Sequence, residues 1–231
     1  MPGGGEPIKP DRERGEIDPA GRLRLRLRLM ILTPIPREHL DAALDRFAGQ
    51  LDDPAARAVF VRIRATPAER AAGEAAETHR LAALALARRC GMAIHPAGTR
   101  SAFNWDGTAL DGATEAYVIL HEVAHFVLAP PERRCLVDFG LGPGPDTAAR
   151  AAAERATILP IAERDADEAA ASLLGILWEA ALGQPALPSF LDQNWLEGLD
   201  RSAAPYFTAV LCRLRQRRVI ETVQPIMREM R

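Results

Sequence analysis

Residues 117–128 read YVILHEVAHFVL, and this stretch decides how the rest of the chain is interpreted. His121 and His125 are four residues apart, so a helix places both imidazoles on one face, within reach of a single metal ion. Glu122 follows the first histidine, where its carboxylate can act as a general base on a water held by that ion. No proline or second charged residue interrupts the stretch, which favours a metal-binding helix over two structural histidines.

A catalytic metal site needs a third protein ligand and keeps a fourth position open. One class of HExxH protein takes a third histidine from the same segment, but this chain has Leu128 and Pro131 at the positions that class requires. A carboxylate from a later helix is the alternative, and we place it at Glu163. Asp167 is four residues further along the same face, where it can accept the second ring N–H of a ligand histidine. Asp165 is an alternative ligand, although it lies roughly 200° around the helix from Glu163.

Two histidines and one carboxylate are compatible with two divalent ions. With Zn(II), such a site lowers the pKa of bound water to about 7 and supports hydrolysis. With Fe(II), the open coordination positions support oxygen activation. The ligand types alone do not choose between these ions, and His79 and His95 are reserve ligands for either.

Hydrophobic periodicity predicts a helix-dominated α+β fold with a small N-terminal sheet. The sheet is expected from Arg22–Leu29, which alternates strictly, and from Ala58–Arg64, which alternates in part and contains β-branched residues. Helices are predicted over residues 36–51, 66–90, 111–128, 146–159, 162–182, 204–217 and 219–230.

The first part of the chain differs in composition from the rest. Residues 1–21 are rich in glycine, proline and charge, which predicts disorder. Residues 1–29 are expected to be a basic leader, and Met30 is an alternative start that would make them an upstream extension. The single metal-binding domain is then expected over residues 30–231.

Charge and composition exclude several classes of function. The formal net charge is -2, from 29 basic and 31 acidic residues, so no global attraction for nucleic acid is expected. The apolar fraction is 48%, yet no apolar run approaches the about 18 residues that a membrane span needs. Three widely spaced cysteines do not form a disulfide framework, which favours a reducing cytoplasm.

The residues after the HExxH motif carry a more specific pattern. They continue with a small-residue turn, a paired arginine and an Asp-aromatic-Gly step, at Ala129-Pro130, Arg133-Arg134 and Asp138-Phe139-Gly140. A later Pro145-Asp146 and the segment 189–198 complete the pattern. Over residues 104–198 the chain thereby resembles the elongation factor P hydroxylase family.

The resemblance implies a zincin-like single domain with an HExxH active-site helix. It implies a metal held by His121, His125 and a later glutamate, placed at Glu163. The implied activity is oxygen-dependent hydroxylation of a modified lysine on a translation factor, so that elongation factor P or a similar protein would be the partner.

This chain also departs from the family pattern. The family is rich in aromatic residues after its Asp-aromatic-Gly step, and it has Gly-Arg after Pro-Asp. Here the chain has Leu141-Gly-Pro-Gly and Thr147-Ala instead. These positions belong to the expected substrate side, together with Arg133, Arg134 and Asp138, so the substrate stays open. A salt-bridged turn after the helix is the alternative role for those three residues.

Two further functions are compatible with the same residues. The ExxAD step at Glu163–Asp167 is similar to that of glutamate-ligand HExxH metallopeptidases, in which Glu122 would be the general base for peptide hydrolysis. The other alternative is a non-catalytic regulator that keeps a metal site for stability.

Overall fold

The structure is a computed structural model, and it describes residues 35, 37–99, 101–144, 147–196 and 203–220. These residues belong to one compact unit, which begins at Ile35. Over the described ranges the chain forms helices but no β-strand, and the only β-type pairings there are single bridges of Leu110 with Ile94 and Trp105. The expected helix-dominated fold is therefore confirmed, whereas the small N-terminal sheet is not found in this part of the chain.

Nine α-helices occur within the described residues. They are α1 (Arg37–Gly49), α2 (Pro54–Arg64), α3 (Gly73–Arg89), α4 (Ala116–Leu128), α5 (Pro131–Arg134), α6 (Arg150–Ala156), α7 (Ile161–Leu182), α8 (Ala186–Asp192) and α9 (Ala203–Gln216). The predicted helices around the HExxH motif and over residues 162–182 correspond to α4 and α7. The short helix α8 has no counterpart among the predictions.

The predicted strand Ala58–Arg64 is wrong, because these residues form the second half of α2. Asp53 caps the helix by accepting the backbone N–H of Ala55 at 2.8 Å, and Pro54 occupies the first helical position. From that start, the buried side chains recur at intervals of three, four and seven residues, at Ala56, Val59, Phe60 and Ile63. The alternation of apolar residues within Ala58–Arg64 is therefore part of the apolar face of a longer helix.

Several predictions concern residues outside the described ranges. The leader over residues 1–29, its alternating segment Arg22–Leu29 and the Pro145-Asp146 step all lie outside them, as does most of the predicted helix 219–230. Among the described residues, no helix has the length and apolar character needed to cross a membrane.

A cluster of four buried phenylalanines joins the helices of the N- and C-terminal parts. Phe47 of α1, Phe60 of α2, Phe190 of α8 and Phe207 of α9 have ring centroids 4.8 to 6.0 Å apart. Most of these pairs are tilted or edge-on, as aromatic rings prefer. This core supports α7, which packs against α2, α8 and α9 and also against α4.

Helices α4 and α7 approach each other closely at Gly175. A β-carbon at this position would lie 3.3 Å from the Cα of His121 and 3.4 Å from its backbone nitrogen. The absence of a side chain therefore lets α7 approach the backbone of α4 at the first histidine of the motif. This contact sets how deeply His121 sits against α7.

Replacing Gly175 with valine should separate the two helices. We expect Gly175→Val to lower the free energy of unfolding by about 1–3 kcal/mol, the usual cost of forcing extra atoms into a packed contact. Gly49→Val is the matched control, because a β-carbon at Gly49 meets nothing within 4 Å. Chemical denaturation of both variants measures the difference, and equal losses would contradict the importance of this contact.

Candidate metal centre

Three side chains from α4 and α7 converge on one point. The Nε2 atoms of His121 and His125 are 3.0 Å apart. Oε2 of Glu168 lies 3.4 Å from Nε2 of His121 and 3.3 Å from Nε2 of His125. Together they form the one group among the described residues with three potential metal ligands so close together. Because the three atoms form a nearly equilateral triangle, one ion above its centre could contact all of them.

The dimensions of this triangle fit a divalent metal ion. Ligand atoms about 2.0–2.1 Å from an ion lie about 3.3–3.4 Å apart in a tetrahedral arrangement and about 3.0 Å apart at right angles. The observed separations of 3.0, 3.3 and 3.4 Å span both arrangements. His121, His125 and Glu168 can therefore hold Zn(II) or Fe(II), and the exposed half of the Glu168 side chain leaves one side open to a further ligand.

The electrostatics of the cluster also favour a cation. Burial alone would lower the pKa of His125, but the charges and hydrogen bonds of Glu168 and Asp167, with the charge of Glu122, outweigh it and raise this pKa to about 10. Burial would raise the pKa of Glu168, but the two imidazoles hold it well below its usual range. The same negative potential that stabilises a proton on an imidazole also stabilises a metal ion bound to its neutral form.

The third member of the cluster is Glu168, and not the predicted Glu163. Glu163 lies in the first turn of α7 and is exposed. Five residues separate the two glutamates, which places them about 140° apart around the helix. Gly175, which lies against the backbone of His121, marks the face of α7 that meets α4, and stepping back seven residues from it leads to Glu168. The alternative ligand Asp165 is likewise exposed and is not part of the cluster.

Asp167 lies beside His125, where its predicted role as acceptor of the ring N–H stays a prediction. Its Oδ2 lies 3.4 Å from Nδ1 of His125, which makes no hydrogen bond among the described residues. Because Asp167 and Glu168 are consecutive on α7, they project about 100° apart and approach opposite edges of the same imidazole. Burial raises the pKa of Asp167, but its contacts with His125 and Arg133 outweigh this and lower it, which keeps the carboxylate charged.

Arg133 is bonded to Asp167. Its side chain is 10% exposed, and it donates to Oδ2 of Asp167 at 2.9 Å and to Oδ1 at 3.4 Å. Its Nε donates to the carbonyl oxygen of Phe139 at 3.0 Å. These bonds favour the alternative, structural role of Arg133 in a salt bridge, and its substrate-side role stays a prediction.

Arg134 has a structural role at the end of α4. Its Nε donates to the carbonyl oxygen of Ala129 at 3.0 Å, and its guanidinium carbon lies 4.7 Å from the centroid of the Phe126 ring. A cation at this position satisfies a carbonyl that follows the last turn of the helix. The expected substrate-side role therefore finds no support at Arg134.

Asp138 lies close enough to the cluster for its carboxylate to interact with it electrostatically. Burial raises the pKa of Asp138 to about 6, and the charges of Glu122 and Glu168 act in the same direction. The hydroxyl of Thr147 donates to Oδ2 of Asp138 at 2.9 Å. Of the three predicted substrate-side residues, Asp138 is thus the one that shares the electric field of the candidate metal centre.

Glu122 is held beside the two imidazoles by a residue that the sequence analysis missed. Its side chain is buried, and Nδ2 of Asn104 donates to its Oε1 at 3.3 Å. Burial raises the pKa of Glu122, while His121 and His125 partly oppose that effect. A carboxylate with a raised pKa is a stronger proton acceptor and can serve as a general base. Asn104 lies 18 positions before Glu122, in an irregular segment, so only the tertiary structure identifies it.

An unusual backbone conformation adjoins the centre. Asp138, Phe139 and Gly140 have φ angles of 44°, 54° and 71°, so they form one left-handed turn. For residues other than glycine this conformation costs on the order of 1–2 kcal/mol each, with aspartate tolerating it better than phenylalanine. Phe139 is fully buried, and its ring stacks on His125 with centroids 5.5 Å apart. The surrounding structure therefore maintains a strained residue against a candidate metal ligand.

A cavity of about 280 Å³ begins one helical turn before His121 and is lined by Arg70, Tyr117 and Glu179 among others. The guanidinium of Arg70 lies over the Tyr117 ring, 3.5 Å from its centroid, and donates to Asp192 at 2.7 Å. Glu179 is only 2% exposed and accepts the hydroxyl proton of Ser189 at 2.8 Å. The cavity thus places a buried acid near the N-terminal half of α4.

Comparison of the chain with protein-family models, with curated proteins and with solved structures gave no significant match. Inferences about function therefore depend on the geometry of this chain and on the resemblance carried by its motifs.

Two matched variants test the assignment of the third ligand. Glu168→Gln removes a charged oxygen from the cluster and should weaken Zn(II) binding by more than about 100-fold, since loss of a supporting residue alone costs 10–100-fold. Glu163→Gln changes an exposed residue of the same helix and should leave the affinity unchanged. Titration against a competing chelator measures both. Equal losses in the two variants would contradict the assignment to Glu168.

Glu179 should make stability depend on pH. Burial raises its pKa in the folded chain to about 7, above the reference value of 4.5. The folded state therefore binds this proton more tightly, and the stabilisation is present below pH 4.5 and is lost as the pH rises through 7. In the wild-type protein, the free energy of unfolding should fall by up to about 3 kcal/mol across that window because of this group. Glu179→Gln should remove this dependence. Denaturation curves at several pH values measure it, and parallel pH profiles for variant and wild type would refute the role of Glu179.

Proposed function

We propose that this chain is a metal-dependent enzyme of the elongation factor P hydroxylase type, with a zincin-like fold and a metal held by His121, His125 and Glu168. The observation that carries the proposal is the convergence of these three ligand atoms at separations suited to Fe(II) or Zn(II). When bound, Fe(II) would supply oxygen activation at its open coordination positions.

The residues that define the family resemblance lie around this cluster. Phe139 stacks on His125, Arg133 holds Asp167, and the carboxylate of Asp138 shares the field of Glu122 and Glu168. A pattern shared only because of a turn at the protein surface would not need these contacts. Their position supports the hydroxylase interpretation over that of a generic HExxH protein.

The proposed reaction inserts one oxygen atom of O₂ into a C–H bond of a modified lysine on a translation factor, with elongation factor P as the proposed partner in the cytoplasm. The second oxygen atom leaves as water, so an external reductant must supply two electrons and two protons. The chain's own contribution is to orient the ligands and to hold a proton at Glu122, beside Asn104.

A hydrolase is the second candidate, and the environment of Glu122 favours it. The carboxylate is buried, its pKa is raised, and Asn104 fixes one of its oxygens. These properties suit a general base that takes a proton from water during cleavage of a peptide C–N bond and returns it to the leaving amine. A metal-stabilised regulator would need no such proton acceptor.

Substitution of Glu122 tests the catalytic proposal. Glu122→Gln should lower turnover by about 10²- to 10⁴-fold, the usual contribution of a general acid or base, while metal affinity is retained. Protein loaded anaerobically with Fe(II) should consume oxygen with lysine-modified elongation factor P and add one oxygen atom to it, as read by mass spectrometry. Zn(II)-loaded protein is tested in parallel against a peptide library.

The outcomes separate the candidates. Oxygen uptake with a hydroxylated product supports the hydroxylase, and peptide cleavage by the Zn(II) form supports the hydrolase. Wild-type protein that binds metal tightly but gives neither product with these substrates would refute both proposed reactions.

A further inference from the structure

The ring of Phe139 stacks with two other rings. The Trp105 ring is parallel to it, with centroids 5.6 Å apart and planes inclined by 1°. The imidazole of His125 lies 5.5 Å away at 25°. All three side chains are almost completely buried. The orientation of the His125 ring is therefore constrained over one of its faces by Phe139.

The backbone of the same residue supports His125 by a second route. The carbonyl oxygen of Phe139 accepts the Nε proton of Arg133, whose two terminal nitrogens donate to Asp167. Asp167 in turn lies at the Nδ1 edge of His125. The ring and the carbonyl of Phe139 thus both act on one imidazole, although by different contacts.

The left-handed turn allows Phe139 to make both contacts. Hydrogen bonds to residues outside the turn stabilise its conformation. The backbone N–H of Asp138 donates to the carbonyl of Trp105 at 3.0 Å, and the N–H of Ile158 donates to the carbonyl of Gly140 at the same distance. A β-carbon at Gly140 would come within 2.9 Å of the side chains of Ile158 and Leu136. Glycine is therefore required at the end of the turn both by its positive φ angle and by this close packing.

We propose that Phe139, held in the left-handed turn Asp138–Gly140, is a positioning residue that fixes the metal ligand His125 through ring stacking and through the Phe139–Arg133–Asp167 chain. This inference rests on the metal cluster of the proposed function. It assigns to an apolar side chain a part in metal affinity and coordination geometry. The strain in the turn is then maintained because a relaxed backbone would lose one or both supports of the imidazole.

Co(II) is a suitable probe, because it substitutes for Zn(II) or Fe(II) and its absorption bands report the geometry of its ligands. Phe139→Leu removes the ring but keeps a buried apolar side chain. Phe60→Leu is the matched control, since Phe60 is also fully buried but belongs to the phenylalanine cluster of α1, α2, α8 and α9. Phe139→Tyr keeps the ring and serves as the conservative variant.

Both leucine variants should lower the melting temperature of the metal-free protein. Only Phe139→Leu should also weaken Co(II) binding, by about 10–100-fold, and alter the Co(II) spectrum. Phe139→Tyr should restore the affinity and the spectrum. If Phe139→Leu does not fold, Phe139→Met, which retains more volume, takes its place in the same comparison.

Two results would overturn the inference in different ways. Wild-type affinity and spectrum in the Phe139→Leu or Phe139→Met variant would show that the residue only packs the core. Failure of the wild-type protein to bind Co(II) would instead refute the metal cluster itself, and the inference with it. The wild-type titration therefore distinguishes failure of the positioning role from failure of the proposed function.

Discussion

The close packing of α7 on α4 is the constraint on which the candidate site depends. Gly175 allows the two helices to approach at His121, and this approach brings Glu168 against both imidazoles. The result is a cluster of four carboxylates around two imidazoles, in which the pKa values of Asp167 and Glu168 are lowered and Arg133 pairs with Asp167. A divalent cation bound by neutral imidazoles and a carboxylate would balance the charge of Asp167 and Glu168 in place of a proton on His125.

Helix geometry explains why Asp167 and Glu168 of α7 contact different atoms of His125. Consecutive residues diverge by about 100°, so Asp167 reaches the Nδ1 edge of His125 while Glu168 reaches its Nε2 edge. Two residues four positions apart would instead lie one above the other on the same face of the helix, and would approach the ring from the same side. One imidazole is therefore held between two adjacent side chains. In both histidines Nδ1 is buried with no hydrogen-bond partner among the described residues, and at His125 the carboxylate of Asp167 lies 3.4 Å from it.

Periodicity and motif spacing predict the parts of this structure that local sequence controls. The HExxH helix and the later acidic helix are both recognisable in this way. The predicted ligand Glu163 shares a helix face with Asp167, whereas the cluster contains Glu168, which approaches His125 from a different side than Asp167 does. The helix at Ala58–Arg64 was missed because its stripe becomes visible only from Asp53 onward. Asn104 and the left-handed turn depend on contacts between distant segments, and no local pattern specifies them.

The distinction between hydroxylation and hydrolysis therefore does not lie in the metal ligands, whose separations suit either ion. It lies in the titratable groups near the cluster, above all Glu122 with Asn104 and Asp138 with Thr147. Burial raises the pKa of both carboxylates, that of Asp138 to about 6, so each is suited to exchange of a proton. A hydrolase needs one such group to activate water and protonate the leaving amine. A hydroxylase needs protons for the oxygen atom that leaves as water, and two such groups at one site suit that requirement, which is why we place hydroxylation first.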